Sequence, residues 1–483
     1  MTDAVTASWI RNISDQRAAA GGCLFDPLRG AESVWWIERY CKLYEGDEYA
    51  GKPLILWGCK ECDYSDYYAI QEPWWEDEEQ TIAGLAQEIH EARSRLFAEC
   101  VKSGHDIDWQ YDFQMRCYGW TQYRAKWGKH LRRFRKGSIW LPKKQKKSPT
   151  LAANSLYVAF GDGEQGQHVY IMAKDGAQAK KIAGEHAFQM VDQSPELKAE
   201  LKRNLNEMSL SHYRTRSRWE PLSSSNARTQ ESKEGLNGSG FVDEAHVVDR
   251  AFIRRIIRMG ISRAEPIVLA FSTTGDDPDG WGCDEFQYAQ KIIDGRLTND
   301  EYLAIIYAAP QDVTDEQLDA DFDRYVRMAN PSLGHTIDLD EIRTDYQRSK
   351  ETIEQLADFK KYRLNIWQHS SNPWLRASDW AKCATEYTES DLLGKTCYGA
   401  FDLSLKWDTT AIVLLFPIGD DDPPRFRVWP LFFLPEVTAR KLRDKASWHD
   451  WAKHGHLKLT DGDTTDFPGI RAVLNYCRDK FDL

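Results

Sequence analysis

No stretch of this 483-residue chain is apolar over the length a bilayer requires. Residues 1–16 are polar and mixed and lack the apolar centre of a secretory leader. The expectation is therefore a protein with no membrane partner. Cysteine is sparse for the length: ten residues, scattered, with no paired spacing that would build a disulfide framework. Reduced thiols in a cytosol are expected. The single C-x-x-C, Cys59 and Cys62, has no second pair to complete a zinc site and reads as a surface loop. An excess of positive charge is also missing. The net charge of −12 excludes a uniformly basic coat for nucleic acid, though an acidic body can still carry one local basic surface. What is present, 42% hydrophobic and 29% charged residues, suits a soluble globular chain with two or three separately cored domains.

Against that background one stretch stands out, Gly240-Phe241-Val242-Asp243-Glu244-Ala245-His246. It reads as a short buried strand ending in two carboxylates. A rigid strand can hold acids still at its carboxyl edge. In a nucleotide-hydrolysing site Asp243 would orient Mg²⁺ and Glu244 would polarise the attacking water. By itself Asp-Glu after apolar residues is common, and a strand end capping a helix is the ordinary reading of it.

A second stretch has the layout of a phosphate cradle. Ser138-Ile139-Trp140-Leu141 reads as a strand, 142–150 as a loop, and Leu151 to Tyr157 as a helix. Lys147 would reach the outer phosphates, Ser148 the metal, and Lys144 lies in the same loop. This loop and the acids at 243–244 are expected to end neighbouring parallel strands and to hold one triphosphate and its Mg²⁺ between them. Neither glycine of the usual motif is there, and Lys146 stands where glycine precedes the lysine. If that position needs positive φ, a lysine costs energy there. The loop ends the most basic run of the chain, 124–147, in which Tyr123, Trp127, Phe134 and Trp140 alternate with eleven Lys and Arg. A solvated positive face is the ordinary reading of such a run; DNA phosphates and nucleotide phosphates are the functional ones.

Further along, 266–271 reads as a buried strand ending in Ser272-Thr273-Thr274-Gly275, whose hydroxyls could sense a γ-phosphate or merely form a turn. Trp109-Gln110 opens an amphipathic-looking segment, and an amide there can both donate to and accept from an adenine edge. Helices are expected over 283–293, 315–329, 338–348 and 353–364, with a strand over 301–307. Domain limits are expected at 1–368, with an insertion near 54–108, then a linker at 369–396 and a second domain at 397–483. That second domain reads as a meander presenting Asp402, the shape of a ribonuclease H-like nuclease that needs several acids around two metals about 4 Å apart. Asp408, Asp463 and Asp466 are turn acids on this reading.

In order and spacing these pieces resemble the large terminase subunit of tailed bacteriophages. The resemblance is carried by Phe25-Asp26-Pro27, Trp109-Gln110, Arg132-Arg133-Phe134-Arg135, Lys144-Gln145-Lys146-Lys147-Ser148, Val242-Asp243-Glu244-Ala245-His246, Ser272-Thr273-Thr274-Gly275, Asn330-Pro331, Leu364-Asn365-Ile366-Trp367 and Phe401-Asp402-Leu403-Ser404. It implies an α/β P-loop NTPase followed by a ribonuclease H-like nuclease domain. It also implies an ATP- and Mg²⁺-dependent motor (Mg²⁺ or Mn²⁺ for the nuclease) that moves viral double-stranded DNA into a procapsid. The implied setting is a homo-oligomeric ring in the bacterial cytoplasm, working with a small terminase subunit and a portal protein. The implied roles are Gln110 at adenine, Lys144, Lys147 and Ser148 at phosphate, Ser148 and Asp243 at metal, and Glu244 as base. Thr273 and Thr274 would couple hydrolysis to movement, and Asp402 would be a nuclease metal ligand. The chain departs from the family at Lys146 and at its end, Lys480-Phe481-Asp482-Leu483, where an incomplete nuclease is expected. A helicase-like ATPase and a binding-only prophage remnant are the alternatives.

Overall fold

The computed structural model describes residues 4–42, 54, 56, 109–174, 177, 179–223, 236–250, 253, 259–277, 280–334, 337–368, 380, 382–419, 424–442 and 448–483. Apart from residues 54 and 56, the expected insertion near 54–108 lies outside these residues, as do the Cys59 and Cys62 pair and part of the linker. The chain divides into two units, Met1–Trp374 and Leu375–Leu483.

In the first unit a small antiparallel sheet is formed by β1 (Leu24–Phe25), β2 (Trp120–Arg124) and β3 (Lys129–Arg132), in that order. The main sheet takes β4 (Lys136–Trp140), β5 (His168–Ala173), β6 (Leu201–Asn204), β7 (Ser209–His212), β8 (Ser217–Ser223), β9 (Ser239–Asp243), β10 (Val268–Ser272) and β11 (Tyr302–Ile306). Its order is β11-β4-β10-β9-β5-β8-β7-β6. The pairings from β11 to β8 are all parallel, and β6 and β7 add an antiparallel hairpin. Strands of a parallel sheet are covered on both faces, so they read as unbroken apolar runs. All five residues of β9 are buried, acid included.

Helices cover the sheet. Asp26 caps α1 (Pro27–Tyr40), accepting from the Leu28 and Arg29 amides, with proline at the first helical position where no amide partner is needed. Next come α2 (Trp109–Gly119), α3 (Lys147–Phe160) and α4 (Trp281–Ile293). The amphipathic reading of α2 is corrected, because all eleven of its residues are buried. It is enclosed on two sides: a β-carbon on Gly30 of α1 would lie 3.3 Å from Met115 Cα, and Phe113 packs edge-on against Phe271 of β10 at 5.5 Å. Past β11, the helix expected over 315–329 is two, Asp315–Ala320 and Phe322–Ala329. With α5 (Leu339–Ser349) and α6 (Ile353–Leu364) they enclose a separate core in which Phe322 stacks on Tyr346 at 4.9 Å.

The basic run is only partly a solvated face: Lys126, Lys129, Lys143, Lys144 and Lys146 are exposed, but its arginines are buried or half-buried. Arg133 is 0% exposed and pairs with Asp15 at 2.8 Å, while Arg132 pairs with Asp162 at 3.1 Å. Arg124 pairs with Glu301, and Arg135 donates to the carbonyls of Arg263 and Ala264. These guanidiniums tie the start of the chain and the 260s loop to the sheet. They act through buried charge pairing, which the linear run does not reveal.

The second unit is a sheet of β12 (Tyr398–Asp402), β13 (Thr410–Ile418), β14 (Arg425–Pro435) and β15 (Lys458–Thr460), in that order. The first three form the expected antiparallel meander, and β15 joins β14 in parallel. In β13, Ile412, Leu414 and Phe416 alternate inward and pack with Ile470 and Cys477 of α7 (Phe467–Lys480).

Candidate nucleotide and metal site

The loop after β4 begins as the chain leaves a fully buried strand and ends at the first turn of α3. Two of its lysines adopt left-handed backbone, Lys144 at φ 69° and Lys146 at φ 55°, ψ 33°. The missing glycine is therefore felt as anticipated: a side chain occupies a conformation that costs roughly 1–2 kcal/mol for an L-residue. Lys146 is the residue before α3, and its carbonyl accepts from the Thr150 hydroxyl at 2.8 Å. Gln110, expected at an adenine edge, lies behind this turn. It is 4% exposed and donates to Thr150 Oγ1 at 2.7 Å, so it braces the loop. Gln145 is fixed from the other side, donating to Asn330 Oδ1 at 2.9 Å and accepting from the Ser332 amide at 3.0 Å. Asn330 itself had no assigned role in the sequence reading; only its place in Asn330-Pro331 marked it.

Lys147 points inward. Its ammonium donates to the Leu141 and Pro142 carbonyls at 2.9 and 2.7 Å and to Thr273 Oγ1 at 2.6 Å. These three contacts fill its donor capacity. Burial lowers its pKa, while the charges on Glu244 and Asp243 raise it. Ser148 Oγ donates to Asp243 Oδ2 at 2.9 Å. The loop and the acids thus meet at one carboxyl edge, although their strands are not neighbours: β10 lies between β4 and β9. That corrects the expectation of adjacent strands. It also explains why Thr273, directly after β10, lies between the lysine and the acids.

Asp243 ends β9 and is 1% exposed; Glu244 follows in left-handed backbone at φ 49°, ψ 54°. Burial, and then the charge on Glu244, push the Asp243 carboxyl up to about 6 against the Ser148 hydroxyl and Lys147. Burial would raise Glu244 as well, but the His246 ring and the charge of Lys147 outweigh it and hold this carboxyl low. His246 Nδ1 lies 3.2 Å from Glu244 Oε2 and 3.1 Å from Ser272 Oγ. Without a cation, the first acid takes up a proton as pH falls through about 6, while the second stays ionised. The donor set of a hydroxyl and a carboxylate is hard oxygen, which suits Mg²⁺ completing its shell with water and phosphate.

Thr274 is fully buried. Its amide donates to Asn365 Oδ1 at 2.9 Å and its hydroxyl to the Lys361 carbonyl at 3.4 Å. Lys361 also holds Asp276 at 2.9 Å. The end of β10 is thereby joined to the last turn of α6. Beside the loop, Lys143, Lys144, Arg348, Gln355, Phe359 and Tyr362 border a cavity of about 400 Å³. The Lys143 ammonium lies 3.3 Å over the Tyr362 ring.

In the second unit Asp402 closes β12, opposite Ala411, and is exposed. Asp463 pairs with Lys406 at 2.7 Å, and Asp466 caps α7 through the Gly469 amide. Among the described residues no group of three or more His, Cys, Asp or Glu side chains is gathered for a metal ion. No described helix is long and apolar enough to cross a membrane.

Fold and site together define a P-loop type nucleoside triphosphatase followed by a smaller nuclease-type unit. Two family models match the chain, terminase large subunit ATPase domain over residues 108–291 and terminase large subunit endonuclease domain over residues 296–483. The chain belongs to the terminase large subunit family. It is similar to Protein YmfN of Escherichia coli (strain K12), 27% identical over 238 residues, 47% of this chain and 50% of that protein. It is also similar to the terminase large subunit of Enterobacteria phage HK97, 26% identical over 157 residues, 32% of this chain and 30% of that protein. The similar stretches thus span half or less of the curated relatives' lengths. The crystal structure of the HK97 bacteriophage large terminase is matched at 19% identity and a TM-score of 0.48, over 94% of this chain and 78% of that one. The endonuclease match covers residues 296–483, so a nuclease domain is present. The match begins ahead of β11, inside the first structural unit.

Proposed function

We propose that this chain is the ATP-hydrolysing motor of a viral packaging machine, translocating double-stranded DNA into a procapsid and cutting it with a metal-dependent nuclease. The observation that carries the reading is the convergence of Lys147, Ser148, Asp243 and Thr273 at one edge of a parallel sheet, with Ser148 2.9 Å from Asp243 and Lys147 2.6 Å from Thr273. Ser148 and Asp243 would hold Mg²⁺, and a bound cation would offset phosphate charge. Lys147 has to release one of its three acceptors to reach a phosphate oxygen. Thr273 is among them, so nucleotide arrival is felt directly at the end of β10. Glu244, held ionised and aimed by His246, would take the proton of the attacking water. The cavity beside Lys143 and Lys144 supplies room for base and sugar. The motor would act as a ring with a small terminase subunit and a portal protein, in the cytoplasm of a bacterial host.

Glu244→Gln tests this. The purified chain is expected to hydrolyse ATP faster with DNA present, and the variant to lose turnover by at least a hundredfold, within the range set by removal of a general base, while still binding nucleotide. Wild type that binds ATP but never turns it over would instead support the binding-only remnant, which the left-handed Lys146 favours. Duplex unwinding by the wild type would support the helicase-like reading.

A further inference from the structure

From Phe113 to Gly161 the sequence has no Asp or Glu, yet twelve Lys and Arg. The fold engages most of this charge internally. Arg116, Arg124, Arg132 and Arg133 are in ion pairs, Arg135 is bound to carbonyls, Lys147 is folded into its loop and Lys143 lies on Tyr362. Apart from Lys143, Lys144 and Lys146 of the loop before α3, which are also exposed, what projects is the tip of the β2–β3 hairpin. Residues 125–130 are all exposed, and Lys126 and Lys129 make no ion pair among the described residues. Two aromatic rings stand out with them, Tyr123 at 56% and Trp127 at 40% exposure. Lys126 Nζ lies 5.0 Å over the Trp127 ring, and Tyr123 meets the His130 ring edge-on at 5.7 Å.

The tip is built, not loose. Gly128 takes φ 64° with open space where a β-carbon would be, and its amide donates to the Arg124 carbonyl at 2.9 Å. Four register pairs join β2 to β3 below it. Arg124, paired with Glu301, anchors its base to the main sheet. Exposed rings beside unpaired ammoniums, on a chain whose net charge is negative, suit a polyanion that also offers flat apolar surface. Nucleic acid offers both, in phosphates and in sugar edges. An acidic protein surface would match the ammoniums but not the rings.

We propose that the β2–β3 hairpin tip is a contact site for the backbone of double-stranded DNA, with Lys126 and Lys129 on phosphates and Trp127 against a deoxyribose. The choice of DNA rests on the packaging reading above. The site lies on a different sheet from the phosphate loop, so its test does not depend on ATP turnover.

The test is fluorescence anisotropy of the full chain on a labelled duplex of about 30 base pairs over a series of salt concentrations. Loss of two phosphate contacts lowers the slope of log affinity against log salt by about 1.8. The Lys126→Ala/Lys129→Ala double variant is therefore expected to show a slope shallower by about two and binding at least tenfold weaker near 0.1 M salt. Trp127→Ala is expected to weaken binding with the slope unchanged. DNA-free ATP turnover is expected to stay as in wild type for both. A wild type without any ATP turnover would undo the motor reading yet leave the slope measurement intact. An unchanged slope in the double variant overturns the proposal. So does an unchanged slope with altered sedimentation, which would mark the tip as a contact between copies of the chain. Lys126→Glu/Lys129→Glu, with its larger charge change, guards against a small effect being missed.

Discussion

Replacing Asn365 should be disproportionately costly for one polar side chain. Asn365 follows α6 in left-handed backbone at φ 56°, ψ 43° and is 0% exposed. Its Oδ1 accepts from the Thr274 amide and its Nδ2 donates to the Tyr307 carbonyl, both at 2.9 Å. Asn365→Ala leaves the buried Thr274 amide without this acceptor, at about 1–3 kcal/mol, and takes one hydrogen bond from the half-buried Tyr307 residue, at about 1 kcal/mol. It also puts alanine into a conformation worth roughly 1 kcal/mol less to it than to asparagine. The expected loss is about 3–5 kcal/mol, at the upper end of what point substitutions do. Asn365→Gly keeps the backbone comfortable and loses only the two hydrogen bonds, so it should fall about 1 kcal/mol less far. Asn365→Asp keeps the acceptor for Thr274 and should lie between wild type and glycine if the Tyr307 bond is the smaller part. Equilibrium denaturant unfolding of the four proteins measures the series. Glycine within about 0.5 kcal/mol of wild type, the usual scatter of inconsequential substitutions, would refute the claim that this side chain joins the end of β10 to α6.

The remaining predictions concern the acids proposed to hold metal. Burial and the Glu244 charge raise Asp243 to about 6 in the empty site, and a cation must displace that proton. Half-saturating Mg²⁺ for ATP turnover should therefore rise as pH falls through about 6, approaching tenfold per unit, and level off on the alkaline side; a flat titration between pH 5.5 and 7.5 would remove Asp243 from the metal. In the second unit, DNA nicking by the purified chain with Mn²⁺ should be lost in Asp402→Ala while ATP turnover persists; nicking that survives would place the nuclease acids elsewhere.

Much of this site was legible in the chain because its parts are local. The carboxylates ending β9, the Lys147-Ser148 pair opening α3 and the hydroxyls after β10 each follow from an apolar strand meeting polar residues at its end. The penalty at Lys146 was likewise readable from one missing glycine, and the backbone there is left-handed. Other expectations failed for a common reason. The basic run looked like a surface, yet Arg133 finds Asp15 118 residues away, and no window of sequence contains both. α2 looked amphipathic because its polar residues are locally spaced; its burial comes from α1 on one side and β10 on the other.

What the sequence determined alone was which residue types end which strands, since hydrophobic periodicity and strand-end chemistry act over a few neighbours. The tertiary structure alone decided that β10 separates the phosphate loop from the acids, and so put Thr273 against Lys147. It also decided which arginines of the basic run are paired inside and that Lys126 and Lys129 stand on an exposed hairpin tip. Strand order and charge pairing are settled by contacts between distant segments, and their free energy is not encoded in any one of them.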